Sequence, residues 1–270
     1  PVHGGREIDK TDGMLLMFAD AAAALAFARD YHRALAELPR PLQARAGLHV
    51  GPVILRENSA ADVAMGAKPI EVDGLAKPTA ARVMALARGG QTLLTDDARE
   101  ALARHPDPAL PKTVSHGHWI VKGVTEPVEI FEADEAGAVG LPPSDSDKAH
   151  RVVRKAGVWL PVRDIPHNLP YASTSFVGRE RELAEVKALL DKARLLTLLG
   201  MGGLGKTRLG LRVAADLTHR FPDGVWFLDL APLREDALVV AAAVQVIGVP
   251  AEPDRAPLQS LCAHLRERHA

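Results

Sequence analysis

Cysteine is almost missing from this chain. Its 270 residues hold one, Cys262, so no internal disulfide can form, and the usage fits a reducing, cytoplasmic setting. Cys262 sits in an apolar helical stretch, where a free thiol is expected to be a small buried hydrophobe. An excess of charge of either sign is missing as well: 33 Lys and Arg against 34 Asp and Glu leave a formal charge of -1. No segment gathers Lys and Arg into the footprint that a phosphate backbone demands, so direct nucleic-acid binding is not expected. Long hydrophobic runs are lacking too. The longest apolar stretch, residues 237–249, is interrupted by Gln245 and Gly248 and falls short of the roughly 18 residues of a membrane span. It reads as a buried helix, and no membrane partner is expected. No charged-then-apolar leader opens the chain, which starts at Pro1 and not at methionine, so a longer parent protein is expected.

At this length two cores are expected, and the pattern along the chain divides accordingly. Asp12-Gly13, between Glu7-Ile8 and Met14-Leu15-Leu16-Met17-Phe18, marks a tight hairpin. Residues 20–38 carry apolar side chains at helical spacing and stop at Pro39, which predicts an amphipathic helix. Residues 44–53 read as a strand. A second helix opens near Pro78 and runs to Gly89-Gly90, since proline suits a first turn and glycine a stop. A strand at 91–94 and a short helix capped by Thr95 or Asp96 follow. Strands at 119–121 and 128–131 close a module spanning 1–134. Between 135 and 170 Gly, Pro, Ser and Asp gather, as in Leu141-Pro142-Pro143-Ser144-Asp145-Ser146-Asp147, and a linker is expected. Over 171–270 the continuous apolar runs at 194–199 and 225–230 predict strands of a parallel sheet covered on both faces.

The strongest chemical signal is Gly200-Met201-Gly202-Gly203-Leu204-Gly205-Lys206-Thr207, a P-loop. A polyphosphate at neutral pH needs converging donors and a nearby cation, and a glycine-rich turn at a helix N-terminus supplies both. Gly200, Gly202, Gly203 and Gly205 allow close approach and positive φ angles. Lys206 is expected to reach the β and γ phosphates, and the Thr207 hydroxyl to hold Mg²⁺. The predicted ligand is a nucleoside triphosphate with Mg²⁺. The alternative is a glycine-rich turn with an incidental lysine.

Together with Phe176-Val177-Gly178-Arg179-Glu180, Leu195-Leu196-Thr197-Leu198-Leu199 and the run from Asp223 to Leu233, this half resembles the STAND class of signal-transduction ATPases, in the version found in bacterial transcriptional regulators. The resemblance implies that Val177, Gly178 and Arg179 lie near the adenine and ribose, and that residues 200–207, with Arg208 following, cradle the phosphates. From the residues alone, Arg179 also reads as a solvated arginine at a helix start. The resemblance further implies a Walker B acid on a third strand, then sensor and lid segments, beyond residue 270. The ATPase domain, 171–270, is therefore expected to be incomplete, with hydrolysis very slow or undetectable.

Residues 4–133 carry a second resemblance, to class III nucleotidyl cyclases. It rests on Lys10-Thr11-Asp12-Gly13 with Phe18, Arg45-Ala46-Gly47-Leu48-His49-Val50-Gly51, Gly74 followed by Ala80-Ala81-Arg82, Gly90-Gln91, and Val121-Lys122-Gly123. This implies a ferredoxin-like α+β module, incomplete at its N-terminus, that forms a homodimer or oligomer. Asp12 would be the second metal aspartate of a two-metal site, Arg82 the transition-state arginine and Lys122 the phosphate-binding lysine. From the residues alone, Asp12 is equally an Asp-Gly turn and Arg82 a surface helix arginine. Pro78 stands where the family has its catalytic asparagine and offers no side-chain donor. The glycine before the metal aspartate is missing, so the base-selecting lysine is either Lys10 or replaced by Asp9. His49 reads as a strand histidine. His116 and His118 flank a glycine without further ligands at zinc spacing. Two readings follow: a nucleotide-controlled switch whose cyclase-like module senses or dimerises, or a working cyclase governed by the ATPase. Pro78 favours the switch, whereas Asp12, Arg82 and Lys122 keep the enzyme open.

Overall fold

A computed structural model describes residues 3–10, 13–104, 111–134, 143–170, 178–250 and 255–270. The chain divides into two compact units, Pro1–Val152 and Val153–Ala270.

In the first unit, β1 (Arg6–Lys10) and β2 (Met14–Met17) form the expected antiparallel hairpin. Residues 11 and 12 of its turn lie outside the described residues. Asp20 caps α1 (Ala21–Ala36) by accepting the Ala22 N–H at 2.7 Å, which satisfies one of the donors a helix start leaves free. β3 (Ala46–Leu48) is shorter than expected. A separate antiparallel hairpin, β4 (Ile54–Glu57) and β5 (Ile70–Asp73), has α2 (Ala60–Ala64) between its strands. α3 (Ala76–Leu86) carries Pro78 in its first turn, where no N–H is needed. β6 (Thr92–Thr95) runs into α4 (Asp96–Ala103), whose cap is Thr95. β7 (Lys112–Val121), β8 (Val128–Asp134) and β9 (Ala149–Lys155) complete the set.

Five strands of the main sheet lie in the order β9-β7-β8-β6-β3, with antiparallel neighbours except for the β3–β6 pair. Its helices cover both faces. Successive residues on a strand point to opposite faces, and here both faces are apolar. Leu93 and Ile130 join Val83 and Leu86 of α3, with Trp119, in one core. Leu94 and Phe131 join Leu25 of α1 and Ala98 and Leu102 of α4 in the other. This is why all four residues of β6 are buried. Gly47 lets β3 lie directly on α3, because a Cβ there would come 2.2 Å from the Met84 backbone nitrogen.

In the second unit, β9 turns through Ala156 (φ 48°) and Gly157 (φ 85°) into β10 (Val158–Pro161). Two left-handed residues are what a tight hairpin requires. The stretch expected as a linker over 135–170 therefore carries regular structure from residue 149 to 161. α5 (Glu180–Leu190) and α6 (Lys206–Leu217) pack through Leu183 and Val186 against Leu209, Val213 and Leu217. α7 (Ala237–Ile247) ends at Gly248 (φ 74°), and α8 (Pro257–Leu265) begins with proline.

Three expectations for this unit are corrected. The runs at 194–199 and 225–230 form no parallel sheet among the described residues. The backbone of Phe227 is instead taken by the Asn168 side chain, which donates to its carbonyl at 2.8 Å and accepts its N–H at 2.6 Å. The Val225 N–H goes to the Pro166 carbonyl, while Leu195 and Leu199 are 84% and 89% exposed. α7 has no fully buried residue, although its apolar run suggested a buried helix. Cys262 is exposed on α8 rather than buried, because α7 and α8 mainly meet one another.

Gly47→Ala should lower stability by about 1–3 kcal/mol or more, the usual cost of overpacking, since the clash is with backbone that no rotamer change relieves. An unaltered thermal melt would refute the close β3–α3 approach.

Candidate functional site

In the second unit a glycine-rich loop leads into α6. Gly203 and Gly205 have φ of 75° and 74°, and Gly205 is the N-cap of the helix. Lys206 is the first helical residue, and its Nζ donates to the carbonyls of Gly200 at 2.7 Å and Met201 at 2.8 Å. The loop is thus wound round its own ammonium. A Cβ added at Gly202 or Gly203 would meet nothing within 4 Å, so the other side of the loop is open. Thr207 follows, exposed, in the first helical turn, together with Arg208. That turn contains no acidic residue, and a helix N-terminus carries partial positive charge. Open glycine backbone, a lysine ammonium and a bare helix start fit a triphosphate tail, with the Thr207 hydroxyl able to face a Mg²⁺ ion.

Val177 lies outside the described residues. Gly178 (φ 76°) donates its N–H to Glu180 Oε1 at 3.2 Å. Arg179 is the N-cap of α5, and its Nη1 lies 4.0 Å from where a Cβ of Gly205 would be. The packing of α5 on α6 carries this guanidinium to the loop.

In the first unit, Arg82 on α3 meets the turn after β7. A Cβ on Gly123 (φ 85°) would lie 3.0 Å from Arg82 Nη1, so the guanidinium adjoins the Lys122-Gly123 corner. The Lys122 N–H is held by the Lys148 carbonyl at 2.8 Å, leaving its side chain exposed. Arg82 is thereby brought to Gly123, the residue after Lys122, with Pro78 one helical turn before it. Asp12 lies outside the described residues.

Sequence reasoning missed the partners of Asp9. Lys68 Nζ lies 2.8 Å from one carboxylate oxygen and Lys77 Nζ 3.7 Å from the other. The hydrogen bond from Lys68 holds the Asp9 carboxyl below the usual range. β1 and the Lys68–Ile70 segment line a cleft of about 480 Å³. No spacing rule links lysines before Pro69 and Pro78 to a strand carboxylate. A buried polar cluster was also missed: His116 Nε2 is 2.8 Å from Glu132 Oε2, which also receives Gln91 Nε2 at 3.2 Å. A register shift between Ser115 and His118, around Gly117 (φ 80°), turns His116 inward. No group of three or more His, Cys, Asp or Glu able to hold a metal occurs among the described residues. No helix among them is long and apolar enough to cross a membrane.

His49, just after β3, lies 3.0 Å from Thr95 Oγ1 and 4.0 Å from Asp97 Oδ2. Burial holds its pKa below the ordinary 6.5, with the Asp97 and Asp96 carboxylates opposing weakly. The unfolded chain therefore binds the proton first. The contribution of His49 to stability is present above about pH 6.5 and is lost as pH falls toward its folded value. Between about pH 7 and pH 5, His49→Gln should flatten the fall in melting temperature relative to the parent; an identical slope would show that His49 does not titrate on unfolding.

No family model matches the chain. The chain is similar to uncharacterized proteins of Mycobacterium bovis and Mycobacterium tuberculosis, 37% identical over 97 residues, covering 36% of this chain and 25% of each relative. It is also similar to proteins of the same species described as HTH-type transcriptional regulators, 45% identical over 76 residues, 28% of this chain and 8% of theirs. The matches thus span a quarter or less of these relatives. Among solved structures, the chain is similar to an adenylate/guanylate cyclase/hydrolase from Silicibacter pomeroyi, with 24% identity and a TM-score of 0.40 over 50% of this chain and 76% of that one. An adenylyl cyclase from P. aeruginosa gives 18% identity and a TM-score of 0.42 over 52% and 76%. The guanylate cyclase domain of a Catenaria anguillulae protein, in complex with GTP, gives 16% and 0.41 over 49% and 74%.

Proposed function

We propose that this chain belongs to a cytoplasmic signal-transduction protein that binds ATP with Mg²⁺ through Gly200 to Thr207. Its first unit is then a cyclase-homology module that senses or dimerises. The observation that carries the reading is the placement of Lys206 as the first residue of α6, behind two left-handed glycines and with no acid in the turn. Only a strongly anionic group gains from that concentration of donors and positive charge.

In this reading the backbone N–H groups around Gly202, Gly203 and Gly205 line the phosphates. Lys206 holds their terminal charge, and Thr207 holds the metal. Bound ATP supplies a charged tail whose presence or loss biases the packing of the helices that touch it. A switch of this kind needs binding and a change of state, and no bond need break within the chain.

Lys206→Ala should weaken ATP binding about 10- to 100-fold, the usual worth of a charge-assisted contact, with circular dichroism unchanged. Equal affinity of variant and parent in titration calorimetry would reject the site.

The second reading, a working cyclase, is favoured by the meeting of Arg82 with the Lys122-Gly123 turn. Against it stands Pro78, which faces the same side of α3 one turn earlier and has no donor. Incubation of the chain with ATP or GTP and Mg²⁺ or Mn²⁺ should yield no cyclic nucleotide by chromatography. A cyclic product that disappears in Arg82→Ala would install the enzyme reading instead.

A further inference from the structure

We infer that residues 166–168 are an edge guard, which occupies the backbone of residues 225–227 and keeps that run from pairing with the same run of a second copy of this chain. The guard works whatever the loop at 200–207 binds.

Val225-Trp226-Phe227-Leu228-Asp229-Leu230 combines β-branched and aromatic side chains with a single charge and no proline or glycine. A short run of that kind pairs readily with a copy of itself when its backbone edge is free. Here alternate residues are each taken by a segment distant in sequence. Asp223 gives its N–H to the His269 carbonyl at 3.2 Å. Val225 gives its N–H to the Pro166 carbonyl at 3.0 Å, and a parallel bridge joins Val225 to His167. Phe227 is held at both groups: its N–H donates to Asn168 Oδ1 at 2.6 Å, and its carbonyl accepts from Asn168 Nδ2 at 2.8 Å. Next along the run, Asp229 turns its own carboxylate to the Ala231 N–H at 3.1 Å.

The guard is itself a poor template for a further strand. Pro166 and Pro170 flank Asn168 and have no N–H to give. At Phe227 a side chain replaces the backbone of a neighbouring strand, because an amide carries the same donor and acceptor, and the ladder stops there. Asn168 is exposed, so burial does not demand its two bonds. Proline and an interrupted ladder at an open edge are means by which proteins avoid edge-to-edge association.

Asn168→Ala removes both bonds at Phe227. Sedimentation velocity over a concentration series should show self-association strengthened about tenfold relative to the parent. Amide hydrogen exchange locates the contact. In the dilute variant the Phe227 amide should exchange faster, and on concentration the amides of 225–229 should regain protection, while those of α5 and α6 match the parent throughout. Unaltered self-association with α5 and α6 intact would overturn the inference, as would association that leaves 225–229 exchanging freely. If the alanine variant loses protection in α5 and α6, Asn168→Asp takes its place under the same two criteria, since it keeps the acceptor for the Phe227 N–H and loses only the donor.

Discussion

Leu93 and Leu94 are adjacent on β6 and bury on opposite faces of one sheet, and this two-sided burial governs the first unit. A strand apolar on both faces must be covered twice, so α3 is drawn to one side and α1 with α4 to the other. Ile130 and Phe131 repeat the arrangement on β8. α3 is then pinned against β3, where Gly47 removes the side chain that would hold them apart. The position of Arg82 follows. It projects from α3 at the height of the β7–β8 turn and meets Gly123 there.

The second unit is organised by a smaller device, one helix pair. Packing of α5 on α6 buries five apolar side chains and, at the N-terminal end of both helices, sets Arg179 beside Gly205. Positive charge accumulates where the helix dipole is also positive. No acidic residue in the first turn of α6 offsets it. The segment around Asn168 acts differently. Its amide side chain stands in for a neighbouring strand at one residue and takes both backbone groups of Phe227.

Elements whose cause is local were legible beforehand. The β1–β2 hairpin, α1 with its Asp20 cap, α3 with proline in its first turn and α6 after the glycine loop depend on residues a few positions apart, and periodicity and capping rules see that far. The hairpin at 149–161 was hidden because His150, Arg151, Arg154 and Lys155 interrupt its alternation, and the neighbouring Pro- and Ser-rich run resembled a linker. The exposure of α7 and Cys262 could not be seen, since apolar composition states a preference for burial and not whether another element arrives to provide it.

The glycine-rich loop at 200–207 and the helix it opens could be read directly from the chain, because the glycines are close neighbours in sequence and backbone freedom at one turn is a local property. Arg179 beside Gly205, Arg82 beside Gly123 and Lys68 on Asp9 were settled by folding. Each joins residues that are distant along the chain, and such contacts are chosen by which apolar faces pack together, a property of the whole assembly of elements that no local pattern records.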